Sequence, residues 1–131
     1  MEKDKILNFL DKFDFNYSND NQKIVVNLDF AQKVIIELKD GDKIKISDKL
    51  TGWNFLTGLI SMSLKNAMVY NFVGGIIIGF LFITLQLRNS EINMVPIYLV
   101  FILWVLMFSV YYLIKLESFK NQLMNFINKT E

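Results

Sequence analysis

The first 50 residues alternate apolar and polar positions with two different periods. Within residues 3–13, apolar side chains recur every three or four positions, which predicts a short amphipathic helix. Three later runs, residues 24–30, 34–38 and 44–46, carry them at every second position, which is typical of half-buried strands. The pattern predicts a small α+β domain over residues 1–50, in which the helix packs on one face of a three-stranded antiparallel meander.

The connections between these runs are short enough for hairpins. Residues 31–32 separate the first two runs, and residues 40–42, Asp-Gly-Asp, separate the second from the third with residues that favour a turn. Residues 16–22, NYSNDNQ, predict a break between the helix and the sheet. The pattern also allows a fourth strand, because three aromatic residues alternate at that point: Phe13, Phe15 and Tyr17.

Two uncharged runs follow, residues 66–87 and 92–114, with 22 and 23 residues. An α-helix rises about 1.5 Å per residue, so roughly 20 residues cross a hydrocarbon core of about 30 Å. The runs therefore predict two transmembrane helices, over residues 67–87 and 95–115, joined by an external turn over residues 88–94. Pro96 suits the first turn of the second helix, because its missing N–H would have no partner within the helix there.

Charge is segregated along the chain in the same way. Residues 1–66 contain ten Lys and ten Asp or Glu, whereas residues 67–131 contain four basic and three acidic residues. The 66 polar-rich residues are too few to cover two such apolar helices on all sides, so we expect insertion into a membrane. The net charge of +1 gives no reason to expect nucleic acid as a partner, since that binding needs a basic face.

Basic residues next to the two spans predict their orientation. Five lysines flank the spans on the side of the termini, against a single Arg88 in the turn; they are Lys49, Lys65, Lys115, Lys120 and Lys129. This predicts a two-pass protein of the inner (cytoplasmic) membrane with both termini in the cytoplasm. The richness in Asn, Lys, Ile and Phe resembles that of proteins from AT-rich bacteria.

Aromatic residues near the ends of the spans are candidates for interfacial anchors, because their amphipathic rings settle at lipid headgroups. These candidates are Trp53, Tyr70, Tyr98, Tyr111 and Tyr112.

Two further segments are amphipathic. Residues 51–66 place polar and apolar side chains on opposite faces of a helix, which predicts an interfacial or linker helix. This helix lies under the headgroups, extends the first span as a soluble amphipathic stalk, or packs on the sheet. Residues 116–131 continue the helical period of the second span, which predicts a helical C-terminal extension in the cytoplasm. This tail can cover the small domain or bind a partner, with contacts through Phe119, Leu123 and Phe126.

One face of the first span is small or polar. Gly75 and Gly79 form a G-x-x-x-G pair, which lets another helix approach closely. The whole stripe consists of Asn71, Gly74, Gly75, Gly79 and Phe82. It either mediates homo-oligomerisation or contacts the second span of the same chain, and the sequence leaves both alternatives open.

The composition restricts the available chemistry. The chain has no Cys and no His, which excludes disulfides, Cys/His metal sites, Cys nucleophiles and Ser-His-Asp triads. Asp40 and Asp42 flank a turn glycine and are expected to be solvated. We therefore predict no catalytic, cofactor-binding or metal-binding residues, and a protein that is not an enzyme.

A domain of about 50 residues without a disulfide or a metal has a small core and needs another surface to pack against. The first hypothesis is a non-enzymatic interaction or scaffold subunit that presents the α+β module to protein partners at the inner face of the membrane. One alternative is an oligomeric, membrane-perturbing effector of the pore type, and another is a small immunity or inhibitor protein against a membrane-active toxin. The expected partners are membrane lipid and either another protein or further copies of the chain.

Overall fold

The structure, a computed structural model, describes residues 2–39 and 43–130. In this part of the chain it contains, in order, α1 (Glu2–Lys12), β1 (Asn16–Asp20), β2 (Lys23–Asn27), β3 (Gln32–Lys39), β4 (Lys43–Leu50), α2 (Leu64–Arg88) and α3 (Val95–Lys129). The strands form a single antiparallel sheet in the order β1-β2-β3-β4. The architecture is a small α+β unit followed by two long apolar helices.

The sheet has one more strand than the predicted three-stranded meander. Residues 16–20 form β1 and pair with β2 from Asn16 opposite Asn27 to Asp20 opposite Lys23. The predicted break over residues 16–22 is therefore wrong for most of its length. Four of the five β1 residues are exposed, so backbone pairing at the sheet edge forms this strand and hydrophobic burial contributes little. The turn predicted at residues 40–42 lies outside the described residues.

The predicted helix over residues 51–66 is wrong for residues 51–63, which form an irregular loop. Gly52 and Gly58 have φ angles of +74° and +63°, in the left-handed region that a right-handed helix does not contain. Helix α2 begins only at Leu64, where the Asp48 carboxylate accepts a 2.7 Å hydrogen bond from the Leu64 N–H. We call residues 51–63 the junction loop.

The helices α2 and α3 are both long and apolar enough to cross a membrane. Residues 89–94 connect the two helices. Helices α2 and α3 pack against each other as an antiparallel pair, which we call the apolar hairpin. Only 11% of the most apolar 18-residue stretch of each helix is buried, whereas a core helix of a soluble domain is mostly buried.

Helix α3 also supplies the core of the α+β unit. Its C-terminal half buries five residues on one face, at spacings of three or four: Tyr112, Leu116, Phe119, Leu123 and Ile127. They form one hydrophobic cluster with α1 and with the inner face of the sheet, which contributes Ile24, Val26, Val34 and Ile36. One uninterrupted helix therefore belongs to both the hairpin and the small domain.

Candidate functional site

The junction between the sheet and the hairpin begins with a strained turn. Phe30 and Ala31, between β2 and β3, have φ angles of 56° and 65°, a conformation that costs L-residues roughly 1–2 kcal/mol each. The Tyr112 hydroxyl donates a 2.8 Å hydrogen bond to the carbonyl oxygen of Phe30. The Thr51 N–H donates a 2.9 Å bond to the carbonyl of Ala31. Contacts from distant segments thus hold both left-handed residues in place.

Tyr112 lies at the centre of this junction. Its ring is fully buried, and its hydroxyl also accepts a 3.3 Å hydrogen bond from the Phe55 N–H. The Gln32 side chain, also fully buried, donates a 3.0 Å bond from Nε2 to the Tyr112 carbonyl. Gln32 Oε1 has no hydrogen-bond partner among the described residues. Tyr112 was predicted as a headgroup anchor, and the structure places its ring inside the protein, between the sheet, the loop and α3.

Asn54 organises the junction loop. Its Oδ1 accepts hydrogen bonds from the N–H groups of Leu56 and Thr57, at 3.1 and 2.9 Å. Its Nδ2 donates a 3.0 Å bond to the Gly58 carbonyl, and the backbones of Asn54 and Gly58 exchange two more bonds of 2.9 and 3.1 Å. One buried amide side chain thereby closes a compact loop, and the left-handed Gly58 allows the chain to turn back on itself.

Two side chains of the hairpin donate hydrogen bonds to the backbone of this loop. The Trp104 indole N–H donates a 2.8 Å hydrogen bond to the Phe55 carbonyl, and Asn71 Nδ2 donates a 2.8 Å bond to the Leu56 carbonyl. The Phe55 ring stacks on Phe108 with 4.2 Å between the centroids. The loop is therefore attached to α2 and α3 well beyond the first turn of α2.

Apolar side chains project outward from the same loop. Trp53, Leu59 and Ile60 have exposed fractions of 60%, 77% and 51%. The Trp53 ring contacts Phe55, with 5.0 Å between the centroids. The junction therefore presents an apolar surface next to the apolar hairpin.

The other aromatic residues proposed as anchors occupy different environments. Tyr70 is half exposed on α2, whereas the half-buried Tyr98 donates a 3.0 Å hydrogen bond to the Gly75 carbonyl. Tyr111 packs against Phe30, and the Lys115 ammonium lies 5.7 Å from the centre of the Tyr111 ring. Lys115 also forms a 3.2 Å ion pair with Asp29 at the sheet end of the junction.

The stripe of small residues on α2 is divided between two sides. A Cβ atom at Gly75 would lie 3.8 Å from both Phe101 and Ile102, and one at Gly79 would lie 2.9 Å from the Tyr98 hydroxyl. The Phe82 ring is 6.2 Å from the Tyr98 ring. Gly74 differs, because no described atom lies within 4 Å of its Cβ position. Gly75, Gly79 and Phe82 thus pack against α3 of the same chain, and Gly74 lies on an open side.

Of the predicted contact residues of the C-terminal helix, Phe119 and Leu123 lie in the core of the small domain, and the half-buried Phe126 packs against this core. The Phe9 ring of α1 has its centroid 6.0 Å from that of Phe119 and 5.5 Å from that of Phe126. Leu123 is fully buried beside them. These side chains attach α3 to α1 and the sheet.

Four residues build the junction through their polar groups or rings and were not among the predicted site residues: Gln32, Asn54, Phe55 and Trp104. A signal for the loop was present, because Gly52 and Gly58 bracket Asn54 and glycine disfavours a helix interior. The partners Trp104 and Gln32 had no such signal, since their contacts depend on how distant segments pack. Among the described residues, no group of three or more Asp, Glu, His or Cys side chains is placed to hold a metal ion.

Comparison with known proteins finds no relative of this chain. No family model matches the sequence, and no curated protein and no solved structure matches it either.

Proposed function

We propose that the chain is a two-pass membrane protein of the inner membrane, and that it acts as a non-enzymatic interaction subunit. In this proposal the apolar hairpin crosses the bilayer, both termini lie in the cytoplasm, and the α+β unit is presented to a protein partner. The supporting observation is that α3 runs without a break from Val95 to Lys129 and supplies the core of the domain. A domain built around such a helix is held at a fixed distance from the membrane and in a fixed orientation relative to it.

The outer face of the sheet is the surface that this arrangement presents. The inner residues of β2 and β3 are buried against α1 and α3, so the alternating residues face away. Along the described strands this outer face carries two carboxylates, Asp20 and Glu37, against six lysines: Lys23, Lys33, Lys39, Lys43, Lys45 and Lys49. Half-buried Val25 and Ile35 lie at its centre. An acidic protein segment with a few apolar side chains complements this face.

The pairing of the lysines favours an acidic partner. Lys33 lies directly opposite Lys49, and Lys39 lies opposite Lys43. Like charges facing each other across a sheet are destabilising, and none of these four lysines forms an ion pair with a described carboxylate. Asp40 and Asp42 follow Lys39 in the sequence, so the Lys33 and Lys49 pair gives the stronger support. Carboxylates of a partner would remove this repulsion.

Site-directed photo-crosslinking in native membranes tests the proposal. A photoreactive residue at Ile35, in the centre of the outer face, should form a discrete adduct with another protein. The same probe at Ser118, which is exposed on α3 away from that face, is the matched control. Adducts at Ser118 and none at Ile35 would show that the sheet face is not the presented surface. Recovery of the chain in the soluble fraction would refute the membrane placement.

The orientation can be tested separately, because the chain contains no cysteine. A cysteine introduced at Ser90, in the turn between α2 and α3, should react with an impermeant thiol reagent from outside intact cells. A cysteine at Ser18 on β1 should react only after the membrane is opened. The reverse pattern would contradict the proposed orientation.

The pore-type alternative has less support than the interaction subunit. Gly75 and Gly79, which would mediate contact between copies, already pack against α3 of the same chain. The immunity or inhibitor alternative uses the same presented face as the interaction subunit, so the identity of the crosslinked partner separates the two.

A further inference from the structure

We propose that the junction loop is itself embedded in the lipid. It would be a third membrane segment beside α2 and α3, one that is not helical and whose exposed side chains contact acyl chains. This inference rests on the proposed insertion of the hairpin and adds to it a segment that is neither of the two spans.

The position of the loop along the hairpin is the first observation. The Leu56 carbonyl binds Asn71, which lies seven residues, about 10 Å of helix, after Leu64 at the start of α2. The Phe55 carbonyl binds Trp104, which lies eleven residues, about 16 Å of helix, before Lys115. Lys65 and Lys115 mark where the uncharged runs of the two helices end. The loop therefore extends to the apolar side of that boundary.

Hydrocarbon cannot hydrogen-bond to irregular backbone, and residues 54–58 of the loop meet this requirement for entering lipid. Every N–H group of residues 54–58 donates to an acceptor within the chain. The acceptors are the Gly58 carbonyl for Asn54, the Tyr112 hydroxyl for Phe55, Asn54 Oδ1 for Leu56 and Thr57, and the Asn54 carbonyl for Gly58.

The five carbonyls of residues 54–58 are satisfied as well. Those of Asn54, Thr57 and Gly58 accept from backbone N–H groups of the loop, and those of Phe55 and Leu56 accept from Trp104 and Asn71. The Thr57 hydroxyl in turn donates a 2.7 Å bond to the Ile60 carbonyl. Water would satisfy these groups in an exposed surface loop, so complete internal pairing is needed only where water is absent.

The side chains give the third observation. No charged residue occurs between Lys49 and Lys65, and the large apolar side chains that the loop exposes are Trp53, Leu59 and Ile60. Trp53 contacts Phe55, whose ring stacks on Phe108 of α3, so the exposed apolar surface of the loop continues that of the hairpin. Lipid is the occupant that already surrounds this surface.

The experiment uses the full chain reconstituted in vesicles of phosphatidylcholine and phosphatidylglycerol. A single cysteine replaces Leu59 and carries a nitroxide, whose collision rates with oxygen and with a water-soluble nickel complex are measured. Two matched variants calibrate the readout, Leu103→Cys on the exposed side of α3 and Ser18→Cys on β1. The label at position 59 should follow the label at position 103, with oxygen collisions dominating over nickel collisions.

Each other outcome overturns a defined part of the proposal. A label at position 59 that behaves like the one at position 18, while position 103 stays in lipid, refutes the embedded loop and leaves the inserted hairpin intact. Low collision rates with both reagents at position 59 would show that protein covers the loop. Nickel-accessible labels at both 59 and 103 would refute the membrane placement of the hairpin.

A second variant tests the hydrogen bonds that seal the loop. Asn71→Leu removes the donor to the Leu56 carbonyl, so the nickel collision rate of the label at position 59 should rise. Ser109→Ala removes a hydroxyl of α3 that makes no hydrogen bond with the loop, so this variant should leave the rate unchanged. An unchanged rate in Asn71→Leu would contradict the role assigned to this hydrogen bond.

Discussion

The hydroxyl of Tyr112 donates a 2.8 Å hydrogen bond to the backbone carbonyl of Phe30, a residue 82 positions earlier in the sequence. Through this contact the middle of α3 holds a turn whose two central residues are both left-handed. The same hydroxyl accepts from the Phe55 N–H, so one atom joins the sheet, the junction loop and the long helix. The small domain and the apolar hairpin are thereby connected at their common boundary.

Tyr112→Phe should lower the free energy of unfolding by about 1–3 kcal/mol, because it leaves the Phe30 carbonyl and the Phe55 N–H unpaired. The measurement is reversible unfolding in detergent, followed by far-UV circular dichroism. Tyr70→Phe is the control, since it removes a hydroxyl from a half-exposed tyrosine that makes no hydrogen bond with the described residues. Equal effects of the two substitutions would contradict the assigned role of Tyr112.

Gly79→Ala should destabilise the hairpin by about 1–3 kcal/mol, since the added Cβ would lie 2.9 Å from the Tyr98 hydroxyl and displace it from the Gly75 carbonyl. Gly74→Ala should change stability by less than about 1 kcal/mol, because no atom of the described residues lies within 4 Å of the position that the added Cβ would take. Unfolding in mixed micelles and the size of the detergent complex are the two measurements. If Gly74→Ala instead changed the oligomer size, the open side of α2 would be an interface between copies.

Phe119→Ala should destabilise the α+β unit by about 3–5 kcal/mol, because Phe119 is only 3% exposed and contacts the rings of Phe9 and Phe15. Limited trypsin digestion of the reconstituted protein should then cleave at lysines of the sheet that are protected in the parent chain. Met124→Ala, at an exposed position on the same helix, should keep that protection. Unchanged cleavage in Phe119→Ala would show that the domain folds without this part of α3.

Glu37 should titrate below its ordinary pKa of 4.5, because Lys23 donates a hydrogen bond to it and Lys45 adds a weaker attraction. A depressed folded pKa means that the contribution of this pair to stability is present above the unfolded pKa and is lost as pH falls through the folded value. Lys23→Gln should raise the pKa of Glu37 toward 4.5 in an NMR titration. Lys33→Gln should leave it nearly unchanged, and an equal rise in both variants would refute the specific pairing.

Several elements were predictable because their signals are local. The helix predicted over residues 3–13 is α1 (Glu2–Lys12), and the three alternating runs lie in or next to β2, β3 and β4. The two apolar runs became the long helices α2 and α3. In each case the spacing of apolar residues follows from burial of one face, and that spacing is visible within a few turns or a few strand residues.

β1 was predicted only as an alternative to a break, and the junction loop was mispredicted, for different reasons. β1 buries little apolar surface and is formed by its hydrogen bonds with β2, so its polar sequence resembled a break. In the junction loop the apolar spacing suited a helix, but Asn54 satisfies the local backbone groups in another way and two glycines adopt left-handed angles.

The types of the main elements, and the separation of a charged half from an apolar one, follow from the order of the residues alone, because hydrophobic periodicity acts over short stretches of chain. Three features arise only in the folded chain: the burial of Tyr112, the contact of Gly75 and Gly79 with α3, and the hydrogen bonds from Asn71 and Trp104 to the loop. These features depend on hydrogen bonds and packing between segments up to 82 residues apart, which appear once the helices and the sheet have assembled.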